Sequence, residues 1–153
     1  MLQPERGEIK RPGETEGVIF LLYKDGKFLV EEVTRVESGF YGHVRIPGGK
    51  IEQGESPEDA MKREVEEELG VSPKSFIELD AFEDVTLGGN YYVFHAFLVL
   101  DYDGEIKNQE PRKSNIYWIP VDEAWDSLKL ASSRYVLCLS EKAIASAERN
   151  KDL

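Results

Sequence analysis

Cysteine, basic residues and long apolar runs are all scarce in this chain. Cys138 is the single cysteine among 153 residues, which excludes an intrachain disulfide. The apolar neighbours of Cys138 predict a buried, unreactive thiol. No apolar run approaches the roughly 20 residues that cross a membrane, and the N-terminal segment lacks the apolar core of a signal peptide. We therefore expect a cytoplasmic protein that has no membrane partner.

The shortage of positive charge bears on the binding partners. The chain has 30 acidic and 19 basic residues, a formal net charge of -11. Such a surface repels long nucleic acids, which need basic patches, so we exclude genomic DNA as a partner. Residues 54–68 alone hold seven acids and two bases. A region this acidic can bind a small polyphosphate only through bridging cations.

Length and patterning predict one domain of the α+β class. Prolines and glycines mark residues 1–14 as a loosely held tail, which leaves residues 15–153 for the domain. Apolar runs predict strands at 18–23, 28–33, 43–46, 76–86, 91–100 and 116–119, with a turn at 87–90 and a loop at 101–115. Helical spacing predicts helices at 57–69, 120–128 and 132–149. The strands and helices do not alternate regularly, which favours α+β over a doubly wound fold.

The helix at 57–69 is the most informative element. Ser56 can cap its N-terminus, Pro57 suits its first position and Gly70 can end it. At about 100° per residue, three glutamates share one face and three apolar residues share the adjacent face. They are Glu64, Glu67 and Glu68 on the first face, and Met61, Val65 and Leu69 on the second. Neighbouring like charges destabilise a helix, whereas Mg²⁺ prefers oxygen ligands of this kind. The pattern indicates a divalent-metal site, and a solvated acidic helix is the alternative interpretation.

The stretch from Gly49 to Val71 resembles the Nudix box, whose pattern is G-x5-E-x7-R-E-U-x-E-E-x-G-U with U an aliphatic residue. All nine specified positions are matched, by Gly49, Glu55, Arg63, Glu64, Val65, Glu67, Glu68, Gly70 and Val71. Nine positions in one fixed frame form a specific signal. The chain is therefore similar to the Nudix hydrolases, and to their small MutT-like members in particular. The likeness covers residues 15 to about 130.

The resemblance implies both a fold and a reaction. The fold is an α/β/α sandwich around a mixed sheet, in which the box forms a loop, a helix and a loop. The reaction is hydrolysis of the pyrophosphate bond of a nucleoside diphosphate linked to another group X. A nucleoside triphosphate is the first choice of substrate, and Mg²⁺ is the implied cofactor, with Mn²⁺ as a substitute.

The same resemblance assigns roles within the box. Glu67 and Glu68 are implied as metal ligands, together with the carbonyl of Gly48. Glu64 is implied as either the general base or a further metal ligand, and this choice stays open. Arg63 is implied to orient the neighbouring glutamates, so the predicted catalytic residues are Arg63, Glu64, Glu67 and Glu68.

Further candidates complete the predicted site. Gly49 and Glu55 are expected on its substrate side, and Glu55 also supports the arginine network. Many relatives recruit one more acidic ligand from outside the box, and Glu110 stands in the corresponding stretch. The competing acids there are Glu83 and Glu105. Tyr41 and Phe82 could stack on a base, although aromatic residues at strand spacing are more often part of a core.

Other functions remain open at this level. The substrate could instead be a nucleotide sugar or a dinucleoside polyphosphate, because the box contacts only the diphosphate. A second hypothesis is a nucleotide sensor without catalysis, although such modules would be expected to lose some of the box glutamates. A third is a plain acidic interaction protein. Dimerisation is common in the family, so a homodimer is allowed for. The small nucleotide is the expected partner.

Overall fold

The computed structural model describes residues 14–86 and 89–151, and the side chain of residue 151 is excluded. The predicted tail at 1–14 lies outside the described residues, apart from its last residue. Residues 87 and 88 of the predicted turn, and residues 152–153 of the predicted domain, also lie outside them.

One mixed sheet organises the described part of the chain. Its strands are β1 (Thr15–Lys24), β2 (Lys27–Val33), β3 (Val44–Arg45), β4 (Gly48–Lys50), β5 (Ser72–Glu78), β6 (Phe82–Val85), β7 (Tyr91–Asp103) and β8 (Ser114–Pro120). β1 pairs in parallel with β7, and the remaining pairings are antiparallel. The long apolar runs at β1 and β7 thus form the centre of the sheet, as expected for strands that are covered on both faces.

Three α-helices accompany the sheet within the described residues. They are α1 (Pro57–Leu69), α2 (Ala124–Ser127), which follows a short 3-10 turn at Val121–Glu123, and α3 (Ala131–Lys151). None of them is long and apolar enough to cross a membrane. Local signals determine α1, because the Ser56 hydroxyl accepts the Asp59 N–H at 3.1 Å and Gly70 ends the helix at a φ of 72°. Its bounds are those predicted from the sequence.

The two faces of the sheet carry separate apolar clusters. Val18, Phe20 and Leu22 of β1 pack with the buried face of α1. The alternating residues, Ile19 and Leu21, pack in the cluster that contains α2 and α3 side chains. Successive strand residues point to opposite faces, so one continuous apolar run serves both layers. This arrangement is the predicted α/β/α sandwich of the α+β class.

Several predicted bounds are wrong. The single strand expected at 76–86 is two strands, β5 and β6, and both pair with β7. The loop expected at 101–115 is shorter, since β7 continues to Asp103 and β8 begins at Ser114. The helix expected at 120–128 is reduced to the 3-10 turn and the single turn of α2. The first two differences reflect pairing with a distant strand, which local periodicity does not register.

The prediction of a buried Cys138 is also wrong, because this thiol is exposed. Ser133, Val136, Leu137 and Ser140 form the buried side of α3. These positions follow the helical spacing of three and four residues, which turns Cys138 to the opposite side.

Candidate active site

Burial of one side of α1 determines where its acidic residues point. The buried side consists of Ala60, Met61, Val65 and Leu69. The adjoining side carries the three glutamates predicted as a group, and we call Glu64, Glu67 and Glu68 the acidic ridge. Their environments differ: the side chain of Glu67 is 53% exposed, that of Glu64 is 13% exposed and that of Glu68 is 7% exposed. The ridge therefore runs from solvent into the interior.

Gly49 makes room for Glu64. The antiparallel pairing of β4 with β1 places Gly49 opposite Val18 and Gly48 opposite Ile19. A Cβ atom added to Gly49 would lie 2.1 Å from Cδ of Glu64 and 2.4 Å from both carboxylate oxygens. The carboxylate thus rests directly against the backbone of Gly49. Burial raises the pKa of Glu64, and the hydrogen bond from Arg63 opposes this effect.

The carbonyl of Gly48 has the freedom that a ligand would need. Phe20 donates its N–H to the Pro47 carbonyl at 3.0 Å, and Ile51 donates to the Glu16 carbonyl at 3.0 Å. Hydrogen-bonded and non-hydrogen-bonded pairs alternate along an antiparallel ladder. The pair of Gly48 with Ile19 is therefore a non-hydrogen-bonded one, which directs the Gly48 carbonyl away from β1.

Arg63 connects the box glutamates. Its Nε and Nη2 donate to the two carboxylate oxygens of Glu55 at 2.6 and 2.9 Å. Its Nη1 donates to Glu64 at 2.9 Å and to Glu67 at 3.2 Å, and Nη2 also donates to the carbonyl of Lys50 at 2.9 Å. The planar guanidinium suits this set because it presents five N–H donors in a fixed geometry. Arg63 therefore holds two members of the ridge, Glu64 and Glu67, in place.

Glu55 is fully engaged by this network. The side-chain hydrogen bond from Arg63 is the main cause that lowers its pKa to about 2, and the backbone N–H of Glu52 adds to it. The hydrogen bond with Glu55 correspondingly raises the pKa of Arg63. Since Arg63 occupies both carboxylate oxygens, the geometry supports the structural role of Glu55 more than a direct contact with substrate.

The inner end of the ridge contacts a lysine that sequence reasoning missed. Lys113 donates from Nζ to Glu68 Oε1 at 2.7 Å, and its Nζ lies 3.4 Å from Glu110 Oε2. Glu110, predicted as an additional ligand, is thus placed beside Glu68 by a shared ammonium. The two competing acids are exposed: Glu105 lies in the loop after β7, and Glu83 on β6 accepts a hydrogen bond from Tyr91.

Glu31 is a second residue that sequence reasoning missed. It is 2% exposed, accepts a hydrogen bond from Arg45 at 2.8 Å and another from the hydroxyl of Ser114 at 3.0 Å. A glutamate within the apolar run of β2 was the available signal, because a buried carboxylate requires partners. Its charge acts on the inner end of the ridge, where it disfavours ionisation of Glu68.

Burial and charge act in opposite directions on Glu68 and Lys113. Burial is the main cause that raises the pKa of Glu68 to about 8, while Lys113 opposes it. Burial lowers the pKa of Lys113, but the combined attraction of Glu68, Glu31 and Glu110 outweighs burial and raises it. Glu68 and Lys113 therefore both hold their protons more tightly than they would in water.

The ridge fits a divalent cation in its chemistry, although its side chains are engaged elsewhere. Within residues 14–86 and 89–151, no three acidic, histidine or cysteine side chains converge as a ready metal site. Arg63 and Lys113 explain this, since each holds two of the carboxylates concerned. Two observations support a fit: the donors are oxygens, which Mg²⁺ prefers, and Glu68 Oε2 is buried with no hydrogen-bond partner in the described part of the chain.

A cavity of about 350 Å³ opens beside the ridge. Gly49, which contacts Glu64, and Lys113, which contacts Glu68, both belong to its wall. The remaining wall combines apolar, aromatic and polar side chains. The aromatic ones are Phe40, Tyr92 and Phe94, and the polar or charged ones include Arg45, Lys50, Asp84, Thr86, Ser132 and Ser133. This size lies near the lower end of the range of about 300–1,000 Å³ for ligand pockets.

The predicted aromatic contacts, Tyr41 and Phe82, are not part of this wall. Tyr41 is 57% exposed, and Phe82 packs against Phe94 and Tyr135 with ring centroids 5.5 and 4.8 Å apart. Tyr92 and Phe94 line the cavity instead. The rings of Tyr92 and Phe94 stack at 5.0 Å with an angle of 8°. These rings are therefore better placed than Tyr41 or Phe82 to receive a planar group.

The α/β/α sandwich thus sets the acidic helix α1 against the glycine-containing strand β4, beside a cavity of ligand size. The model of the NUDIX domain matches residues 13–138, so the chain belongs to the Nudix family. A crystal structure of the MutT NUDIX hydrolase from Burkholderia pseudomallei has a TM-score of 0.73 and 26% identity, over 82% of this chain and 97% of that one. The resemblance inferred from the box and the predicted fold class are confirmed.

Two curated relatives are enzymes with different names. The CTP pyrophosphohydrolase of Escherichia coli is 30% identical over 109 residues, which are 71% of this chain and 78% of the relative. The ADP-ribose pyrophosphatase of Bacillus subtilis is 33% identical over 93 residues, 61% of this chain but only 50% of the relative. The aligned part of the chain covers between 31% and 88% of the length of the first curated relatives that match it. These names support a pyrophosphohydrolase enzyme, and members of the family generally use divalent metal ions.

Proposed function

We propose that the chain hydrolyses the pyrophosphate bond of a nucleoside triphosphate with the help of Mg²⁺. One observation carries the proposal: Gly49 and Lys113, which contact Glu64 and Glu68 of the acidic ridge, line a cavity of about 350 Å³ together with Gly48. The oxygen donors suit the cation and the cavity suits a nucleoside. Neither feature alone would indicate this substrate class.

The residues of the ridge would have different roles in this reaction. Glu67, Glu68 and the Gly48 carbonyl would hold the cation, with Glu110 as an additional oxygen donor. When bound, Mg²⁺ supplies neutralisation of phosphate charge and a water of lowered pKa. Glu64, held between Gly49 and Arg63, is positioned either to accept a proton or to bind the cation.

The cavity would orient the nucleoside. The stacked rings of Tyr92 and Phe94 offer an aromatic surface, and base–aromatic stacking is worth about 1–3 kcal/mol. Arg45 and Lys50 bring positive charge to the wall of an otherwise acidic protein. The modest cavity volume favours one nucleoside over the two halves of a dinucleoside polyphosphate.

ADP-ribose is the second candidate substrate, because a relative of that name is 33% identical over 61% of this chain. The small cavity supports the triphosphate instead. The products distinguish the two, since a nucleoside triphosphate yields a monophosphate and pyrophosphate, whereas ADP-ribose yields AMP and ribose 5-phosphate.

The test is a substrate panel with purified protein, supplied with Mg²⁺ or Mn²⁺ and scored by product identity. We expect turnover of one or more nucleoside triphosphates and none after chelation. Turnover of ADP-ribose alone would select the second candidate. Tight nucleotide binding without turnover would select the non-catalytic sensor.

Variants of the ridge provide the matched comparison. Glu67→Gln and Glu68→Gln are expected to lower kcat at least about 100-fold, equivalent to about 2.7 kcal/mol, while the fold is kept. Glu66→Gln is the control, because Glu66 lies on the same helix, is exposed and belongs to neither the ridge nor the cavity wall. Unchanged turnover in both ridge variants would refute the assignment. The cytoplasmic location and the homodimer expected from the sequence stay predictions.

A further inference from the structure

Lys113 combines a fixed backbone with an adjustable charge. Its N–H donates to the Glu110 carbonyl at 3.0 Å, and its own carbonyl accepts from Thr34 at 3.0 Å and from Arg35 at 3.1 Å. Its side chain is 24% exposed and ends at the carboxylates of Glu68 and Glu110. The backbone contacts therefore anchor a long side chain whose ammonium can rotate without disturbing the fold.

The ammonium occupies carboxylate oxygens that a divalent cation would require. Lys113 contacts Oε1 of Glu68, whereas Oε2 of Glu68 is buried and has no hydrogen-bond partner among the described residues. Two cations at the same carboxylates repel each other, so the lysine and a metal ion cannot both hold them closely. Lys113 also lines the cavity, together with Arg45 and Lys50. The side chain of Lys113 can therefore place its ammonium in the cavity instead of at Glu68.

We propose that Lys113 is an exchangeable counter-cation that couples metal binding to substrate binding. Its ammonium contacts Glu68 and Glu110. A divalent cation displaces it from these carboxylates, and the displaced ammonium turns into the cavity towards the phosphate of the substrate. The second half rests on the proposed function, whereas the exchange itself does not.

The exchange predicts effects of opposite sign on two ligands. In Lys113→Gln the metal has no competitor, so metal affinity should rise about tenfold, equivalent to about 1.4 kcal/mol. The same variant lacks the charge that faces the phosphate, so KM for the nucleotide should rise by about tenfold or more. A merely structural lysine would not strengthen metal binding while it weakens substrate binding.

Calorimetry with Mg²⁺ alone and with Mn²⁺ alone measures the first effect without any turnover. Lys62→Gln is the matched control, because Lys62 lies on α1, the helix of the acidic ridge, but pairs with Glu58 and does not line the cavity. It removes the same charge, and its metal affinity should stay within about twofold of the parent protein. Unchanged or weaker metal binding by Lys113→Gln would overturn the proposal.

A labelling experiment on the unaltered protein avoids any dependence on the folding of a variant. Acetylation of lysines, read by mass spectrometry, should be faster at Lys113 when Mg²⁺ is present and unchanged at Lys62. An equal rate at Lys113 with and without Mg²⁺ would also refute the exchange. If no nucleotide on the panel is hydrolysed, the proposed function fails, and calorimetry and labelling still decide on the exchange.

Discussion

Replacing Gly49 with alanine tests how closely Glu64 must be held. The new Cβ would lie 2.1 Å from Cδ of Glu64, whereas ordinary contacts begin at 3.4 Å. The carboxylate must therefore retreat by about 1.3 Å, which follows from those two distances. Because it is the far end of a flexible side chain, it can retreat without disturbing β4 or α1.

The expected cost is catalytic. A displacement of about 1 Å at a reacting group can lower turnover about 100-fold, equivalent to about 2.7 kcal/mol. The hydrogen bond from Arg63 to Glu64, at 2.9 Å, would be lost together with the position. We expect kcat to fall by this factor while the melting temperature changes little.

Two other glycines provide the comparison. Gly48→Ala would place its Cβ 2.2 Å from the backbone oxygen of Val18, which cannot move aside, so this variant should be destabilised by about 1–3 kcal/mol. Gly39→Ala meets no atom of the described residues within 4 Å and should leave both turnover and stability unchanged. Thermal unfolding and steady-state kinetics of the three variants measure the outcome. If Gly49→Ala kept full turnover, or lost stability as Gly48→Ala does, the inferred packing of Glu64 would be incorrect.

Two predictions concern Glu68. Its folded pKa of about 8 exceeds the ordinary value of 4.5, so its contribution to stability is complete below about pH 4.5 and is lost as the pH rises through 8. With a chelator present, the melting temperature should fall as the pH rises from about 5 to 9, and the free energy of unfolding should decrease by roughly a few kcal/mol. The charged groups around Glu68, which are Lys113, Glu31, Glu64 and Glu110, form the background of this measurement. Glu68→Gln should remove most of this slope, and an equally steep curve would contradict the assignment. Separately, Mg²⁺ at about 100 times its Kd should stabilise the parent protein by about 2.7 kcal/mol, but not Glu68→Gln. An equal rise in the melting temperature of both would place the metal elsewhere.

Local signals account for what the sequence predicts well. The bounds of α1 follow from Ser56, Pro57 and Gly70, which act within a few residues of each helix end. The acidic ridge follows from spacing within the same helix. The strands are harder, because β5 and β6 are separate elements only through their pairing with β7.

The parts of the site that sequence reasoning missed depend on distant contacts. Lys113 meets Glu68 across 45 positions of the chain, and Ser114 meets Glu31 across 83. No periodicity registers such a meeting. The aromatic residues of the cavity could not be identified for the same reason. Whether Phe82 or the stacked rings of Tyr92 and Phe94 line the cavity depends on how β6 and β7 lie against α3.

The parallel pairing of β1 with β7 has a consequence for how the chain is made. β1 is synthesised before β7, so Thr15 cannot pair until Tyr92 has been made, and Leu22 cannot pair until Val99 has been made. Pairings this distant in sequence are slow to form. The glutamate-rich helix leaves the ribosome in the interval, with no completed sheet to dock on. The nascent chain therefore exposes its glutamate-rich helix to solvent until β7, the second central strand, has emerged.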